Sequence, residues 1–137
     1  MVLAARYGEG SFSVSNIAKK EEISVPYLEQ ILNALKQKGL VKSVRGPQGG
    51  YALAEKPSDI SLERLFHALE GRRDPATEVV DKSSEDLGEI SVANALFWKK
   101  FETSLHNGLS KITLKDLVDE ARRLKKAGRV PAPTFHI

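Results

Sequence analysis

The sequence predicts a mainly α-helical fold that carries one small β-hairpin, and two observations support this prediction. Apolar residues recur at intervals of three and four along most of the chain, which is the period of amphipathic helices. The period shortens to two in the runs 40–44 and 51–54, which flank a glycine-rich loop. The chain has no cysteine, so neither disulfides nor thiolate-bound metals can hold the fold together.

Composition limits the classes of function. The chain has 137 residues, enough for one domain or for a small domain with an appendage. Hydrophobic residues make up 41% and charged residues 28%, as in an ordinary globular protein. No apolar run reaches the ~18 residues of a membrane-spanning helix, and no signal peptide is recognisable, so we expect a cytoplasmic protein without a membrane partner.

The formal net charge of +3 is carried by the first part of the chain. Residues 1–57 hold eight Lys and Arg against five Asp and Glu, whereas residues 58–137 hold thirteen of each. A local basic excess suits a small DNA-binding surface, because phosphates attract Lys and Arg. Solubilising charge explains the same numbers equally well, so charge alone leaves both interpretations open.

The chain before the hairpin predicts three helical segments. Residues 2–5 resemble the last turn of a helix, and a second helix begins after a capping serine, Ser13 or Ser15. Ser24 can cap a third helix over 25–38. Its buried face is predicted from apolar residues spaced i, i+3, i+4 and i+7, namely Leu28, Ile31, Leu32 and Leu35.

The chain after the hairpin predicts a helix from Ser61 to Gly71, a linker over 72–90 and two further helices within 91–128. The first of these, roughly 91–108, repeats large apolar residues every four positions, at Phe97, Phe101, Leu105 and Leu109, with Trp98 alongside. Such a surface exceeds the need of one small domain, so part of it should pack on a partner chain, although folding back on its own chain is the alternative. Thr113 and Asp116 predict a capping box for the last helix, and residues 129–137 should be extended.

The order helix, turn, helix and glycine-tipped hairpin predicts a winged helix-turn-helix over residues 1–71. The helix 25–38 would then be the recognition helix, whose polar face enters a major groove. That face carries Glu29, Gln30 and Asn33. Glu can accept a hydrogen bond from cytosine N4 and Gln can pair with adenine. Without the hairpin, a solvated helix face would explain these residues better.

The loop VRGPQGGY holds Arg45, Gly46, Pro47, Gly49 and Gly50. Glycines would let this hairpin tip approach the DNA backbone, and Arg45 would enter a minor groove whose negative potential favours a guanidinium. The other candidate, a phosphate-binding loop, needs G-x-x-x-x-G-K-[ST] leading into a helix. Here the last glycine leads into Tyr51 and a strand, so we reject the nucleotide-binding interpretation.

Four segments, ISVPYLEQIL, GLVKSVRGPQGGYALA, ISLERLFHALEG and SKITLKDLV, resemble the signature blocks of the IscR/CymR-type (Rrf-two) family of bacterial transcription regulators. The resemblance implies a homodimer joined by a long dimerisation helix, a palindromic operator in double-stranded DNA and, most often, repression. It also implies DNA contacts from Glu29 and Arg45. Pro26 stands where several relatives carry a small hydroxyl residue.

The sequence departs from this family in two respects. Many members bind an iron–sulfur cluster through three cysteines between the fourth and fifth helices, where this chain offers residues such as Val79, Val80 and Val92. It therefore resembles the cluster-free branch, typified by a regulator of cysteine metabolism, and we expect no cofactor. Relatives also begin about seventeen residues earlier, so the first helix is expected to be truncated here.

The last residues suggest a protein partner. The ending TFHI resembles the isoleucine-ended tail with which serine acetyltransferase occupies cysteine synthase, so Phe135 and Ile137 are candidate contacts; a frayed tail is the alternative. An enzyme is not expected, because His67, His106 and His136 match no metal or triad spacing. A protein-interaction module is the alternative function. RNA binding lacks a stacking platform, since Tyr27 and Tyr51 are expected to be structural.

Overall fold

A computed structural model of the protein describes residues 1–70, 88–129 and 131. Six α-helices and one hairpin are found in these ranges. They are α1 (Val2–Ala5), α2 (Val14–Glu21), α3 (Val25–Gln37), β1 (Val41–Val44), β2 (Gly50–Leu53), α4 (Leu62–Glu70), α5 (Glu89–Leu109) and α6 (Leu114–Lys126). A short 3-10 turn, Pro57–Asp59, follows β2. The predicted mainly α fold with one hairpin is confirmed.

The ends of α2 and α3 are set by serine caps and one strained residue. The Ser13 hydroxyl accepts a hydrogen bond from the Asn16 amide at 3.2 Å, and Ser24 accepts one from the Tyr27 amide at 3.4 Å. Between the helices, Glu22 adopts the left-handed conformation with φ 54°. This conformation turns the chain sharply enough to bring α3 across α2, although a side chain makes it costly.

The hairpin is completed by a third segment that the sequence did not predict. β1 and β2 pair antiparallel, with Val41 opposite Leu53 and Val44 opposite Gly50. On the other edge of β2, Tyr51 exchanges both backbone hydrogen bonds with Phe12, at 2.9 and 2.8 Å. The segment before α2 therefore acts as an edge strand of one residue, and it anchors the hairpin to the helices.

One apolar core joins these elements. Leu28 and Leu32 of α3 pack with Leu40 and Val41 at the start of the hairpin, and Ile60 is fully buried. This core contains the predicted face of α3 only in part, because Ile31 and Leu35 are half-buried. The remaining buried side chains are Ala4, Ile17, Ala18, Leu53, Ala68, Leu114 and Val118.

The helix α6 returns to the first part of the chain. The Leu62 amide donates to the Ile112 carbonyl at 2.8 Å, and the Leu114 amide donates to the Ile60 carbonyl at 2.9 Å. Leu114 and Val118 then enter the common core. The sequence grouped this helix with the long helix in 91–128, whereas in the structure it packs on the winged unit.

Among the described residues, the helix α5 packs mainly on α4. It begins at Glu89, two residues before the predicted start, and its C-terminal end lies against α4. There the His106 ring contacts the Glu63 carboxylate. Most of the large apolar side chains nearer the N-terminal end of α5 are exposed: Ile90, Val92, Leu96, Phe97, Trp98 and Phe101.

Candidate DNA-binding surface

The polar face of α3 is exposed because its apolar face is fixed in the core. Leu28 and Leu32 are buried, which turns Glu29, Gln30 and Asn33 outward. All three predicted base-reading residues are thus accessible. They lie in the first two and a half turns of a capped helix, which is the part that contacts base edges in DNA-binding helix-turn-helix proteins.

Tyr27 belongs to this exposed surface, contrary to the expectation that it is structural. Its side chain is 55% exposed, at the first turn of α3 and next to Glu29. The apolar spacing of α3 contained the signal, because Tyr27 precedes Leu28 and falls outside the buried stripe. A phenol at this position can donate a hydrogen bond to a phosphate and pack on a sugar.

The tip of the hairpin presents the predicted loop residues. Arg45, Gly46, Pro47 and Gln48 are all exposed. A turn closed by the Gly49 amide and the Gly46 carbonyl, at 2.9 Å, shapes the loop. The Ser11 hydroxyl donates to the Gln48 carbonyl at 2.7 Å, which ties the loop to the segment before α2. Within the described parts of the chain, Arg45 forms no ion pair, so its guanidinium is available to a ligand.

The structure explains the need for Gly49 and Gly50, the last two glycines of the loop, differently from the sequence. A Cβ atom on Gly50 would lie 2.1 Å from the Phe12 carbonyl oxygen, and one on Gly49 would lie 2.4 Å from the Val44 carbonyl oxygen. Both positions exclude a side chain because the backbone of this chain passes close by. Close approach to DNA is not needed to explain them.

A direct contact joins the recognition helix to the hairpin. The Lys36 ammonium group, near the end of α3, donates to the Ser43 hydroxyl on β1 at 3.0 Å. Lys42, the neighbour of Ser43 along β1, is exposed. Because successive side chains of a strand point to opposite faces, Lys42 lies on the face of the hairpin away from Ser43, and the observed link between α3 and the hairpin is the contact of Lys36 with Ser43. Sequence reasoning selected Arg45 and missed Lys36 and Ser43, whose proximity depends on the packing of α3 against β1.

An ion pair fixes the segment that follows the hairpin. Both nitrogens at the end of Arg64 donate to the Glu55 carboxylate, at 2.7 and 2.9 Å, and one also donates to the Asp59 carbonyl at 3.0 Å. The side-chain hydrogen bonds from Arg64 lower the pKa of Glu55 below its ordinary value. This clamp connects the base of the hairpin to α4.

Comparison with known proteins identifies the family. The Rrf2 family, described as an iron-dependent transcriptional regulator, matches residues 1–120. The chain belongs to the Rrf2 family. The transcriptional regulator IscR of Photorhabdus laumondii is 35% identical over 121 residues, which cover 88% of this chain and 73% of IscR.

Solved structures of Rrf2 proteins show the same fold. T. potens IscR is 34% identical with a TM-score of 0.69, and the match covers 96% of this chain and 83% of that one. CymR of B. subtilis, described as the global cysteine regulator, is 34% identical with a TM-score of 0.66 over 87% and 86% of the two chains. The winged-helix fold, DNA as partner and a role in transcription regulation, rather than an enzymatic one, are thereby confirmed.

The Rrf2 description raises the question of an iron site. Biological iron–sulfur clusters are held chiefly by cysteine thiolates, and this chain has no cysteine. In residues 1–70 and 88–129, no three His, Asp or Glu side chains come together as metal ligands. The residues present therefore do not fit a thiolate-bound cluster, and we derive no chemistry from one.

The remaining predicted sites lie outside the described residues. These are the linker 72–87, with Val79 and Val80, and the tail residues Phe135 and Ile137. Among the described helices, none is both long and apolar enough to cross a bilayer.

Proposed function

We propose that this Rrf2 protein is a dimeric repressor that binds a palindromic operator without an iron–sulfur cluster. The observation that carries the proposal is the hydrogen bond from Lys36 to Ser43, which joins α3, with its exposed polar face, to the hairpin. A recognition helix and a wing that are fixed to each other can dock on adjacent grooves as one body.

Each predicted residue has a role in this complex. Glu29, Gln30 and Asn33 read base edges in the major groove, where Glu pairs with cytosine and Gln or Asn with adenine. Arg45 enters the neighbouring minor groove, while Gly46 and Pro47 bring the tip close to the backbone. Gly49 and Gly50 support the tip from within the protein. Lys36 adds a phosphate contact that positions the helix without reading sequence.

The exposed face of α5 joins the two subunits in this proposal. Phe97, Trp98 and Phe101 form an aromatic cluster with ring centroids 5.3–6.2 Å apart, and they are 59%, 46% and 42% exposed. Three large rings on one helix face are costly to hydrate and are typical of buried interface cores. A second copy of α5 would cover them and place two α3 helices on a two-fold symmetric site.

Sulfur metabolism is the proposed regulatory theme. It is supported by the absence of cysteine ligands and by the similarity to B. subtilis CymR, a cysteine regulator by its description. In the same proposal, Phe135 and Ile137 bind cysteine synthase. Deletion of Ile137 should then abolish co-purification with cysteine synthase and leave DNA binding intact; unchanged co-purification would refute the tail contact.

Fluorescence anisotropy on operator fragments selected from genomic DNA tests the function. We expect sequence-selective binding whose logarithmic affinity falls linearly with the logarithm of salt concentration, as phosphate contacts require. A fragment with one scrambled half-site should bind more weakly, since a dimer uses both halves. Binding that selects no sequence and ignores salt would instead indicate the alternative function, a protein-interaction module.

A further inference from the structure

A groove on the winged unit, separate from α3 and the hairpin tip, has the composition of a ligand site. It lies between α1, the 3-10 turn Pro57–Asp59 and α6, and it encloses about 270 Å³. Its floor is apolar, formed by Ala4, Ala5 and Val118. Ala4 and Val118 are core residues, so the floor is rigid rather than built from mobile surface side chains.

The rim of the groove is predominantly basic. Among the described residues, Lys56, Lys115 and Arg122 border it, against one carboxylate, that of Asp119. Lys115 and Asp119 form an ion pair along α6, which leaves two positive charges uncompensated. In the described residues, Lys56 pairs with no carboxylate. The hydroxyls of Tyr7 and Ser58 add two polar groups at the same rim.

Arg122 is held in position by the protein itself. One of its terminal nitrogens donates to the Ala5 carbonyl at 2.7 Å, across a separation of 117 residues. That bond holds the guanidinium at the end of α1 and leaves its other N–H groups for a ligand. Because less side-chain entropy remains to be lost, a pre-positioned Arg binds an anion more effectively than a free one.

We propose that this groove binds a small organic anion, a carboxylate on a short apolar body. The apolar floor takes the body, and Lys56 and Arg122 take the carboxylate. The inference goes beyond the DNA-binding function, because it concerns a second ligand at a separate site. It can be tested on the protein without DNA. Its elements also adjoin the hairpin: the 3-10 turn follows β2 directly, and α1 packs on β2. An occupant of the groove is therefore placed to influence the wing.

Amide chemical shifts of the ¹⁵N-labelled full chain, titrated with hexanoate, test the proposal. We expect saturable shifts at Ala5, Ser58 and Val118. Acetate should bind at least about tenfold more weakly, since it lacks the methylenes that the floor would cover. Hexylammonium, with the same body and the opposite charge, should produce no saturable shift there.

Two variants and one control separate this site from general attraction to a basic protein. The double variant Lys56→Gln, Arg122→Gln should weaken hexanoate binding by about tenfold or more, because charged hydrogen bonds are lost. Asp119→Asn should strengthen it, since the carboxylate that the described residues place at the rim is removed. Lys99→Gln, Lys100→Gln removes the same charge from α5, which does not line the groove, and should have no effect. Absent or non-saturable shifts, equal binding of hexylammonium or acetate, or equal loss in the α5 control would overturn the proposal.

Discussion

The ammonium group of Lys36 lies 3.0 Å from the hydroxyl of Ser43, and this hydrogen bond is a side-chain link between the recognition helix and the wing. Ser43→Ala removes the link without changing charge. We expect the free energy of unfolding to change by less than about 0.5 kcal/mol, because both groups are exposed. Operator affinity should fall about threefold, since the wing loses this one side-chain link to α3 while its backbone and core contacts remain. Anisotropy and urea denaturation measure the two effects, with Thr103→Ala, on the face of α5 opposite the aromatic cluster, as the control.

Arg45 is expected to contribute more to binding than any other residue of the hairpin tip. Arg45→Ala should cost about 1–3 kcal/mol of binding free energy and should reduce the salt dependence. Stability should be unchanged, because the side chain is exposed and unpaired among the described residues. Arg123→Ala, an equal change of charge on α6, is the matched control. If both variants lose the same affinity, Arg45 acts through net charge and not through a groove contact.

Two glycines should respond to alanine in opposite directions. Gly50→Ala places a methyl group against the Phe12 carbonyl and should destabilise the protein by more than about 2 kcal/mol, because the bridge to Tyr51 must move. Gly108→Ala, inside α5 with nothing within 4 Å, should stabilise it by up to about 1 kcal/mol. Thermal unfolding of both variants measures the two changes in stability. A Gly50→Ala protein of normal stability would contradict the close approach at Phe12.

The ion pair between Glu55 and Arg64 should appear in the pH dependence of stability. Hydrogen bonds from Arg64 lower the pKa of Glu55 from its ordinary value of 4.5 in the folded protein. The folded state therefore binds its proton less readily than the unfolded state. The stabilisation is fully present above about pH 4.5 and is lost as the pH falls through the lower, folded pKa.

Glu55→Gln should consequently flatten the acid side of the stability profile. Chemical denaturation between pH 3 and 7 measures the effect. Asp116 provides a comparison, because hydrogen bonds from the Thr113 amide and hydroxyl lower its pKa in the same direction. Asp116→Asn should flatten the profile at lower pH, below its ordinary pKa of 3.8, while leaving the hairpin intact. A Glu55→Gln profile as steep as that of the wild type would show that the ion pair does not persist in solution.

The aromatic cluster on α5 gives a spectroscopic test of dimerisation. Trp98 is the sole tryptophan, is 46% exposed in the single chain and packs on Phe101. Association through this face should shift its emission to the blue as protein concentration rises. Phe101→Asp should keep the chain monomeric, fix the emission at the red position and weaken operator binding. A monomeric wild type in sedimentation experiments would contradict the proposed interface.

The sequence predicted helices more successfully than the contacts between them. Apolar spacing and serine caps located α3 within one residue, and the Thr113–Asp116 capping box was found as predicted. These are local features, determined by neighbours along the chain. The bridge between Phe12 and Tyr51 joins residues 39 positions apart, and no local pattern indicates it. The packing of α6 on the winged unit was missed for the same reason.

The residues of the candidate DNA-binding surface also divide into those that local patterns reveal and those that depend on packing between elements. Glu29, Gln30, Asn33 and Arg45 could be chosen from patterns, because exposure follows from helix periodicity and from the turn. Lys36 and Ser43 could not, since their contact depends on how α3 crosses β1. Gly49 and Gly50 were selected because glycines allow close approach to DNA, and this explanation is incomplete. Gly49 is required by the backbone of Val44 and Gly46 within the hairpin, whereas Gly50 is required by the backbone of Phe12, which is distant in sequence.

The attachment of α5 has a mechanical consequence. Its 21 residues span about 30 Å, yet its packing on the described chain is concentrated at the end near His106 and Glu63. In the proposed dimer, this short contact would serve as a hinge. A rotation of about 5° at that hinge moves the far end by about 3 Å, nearly one base-pair step along a double helix. The angle between α4 and α5 would thus set which half-site spacing a dimer fits.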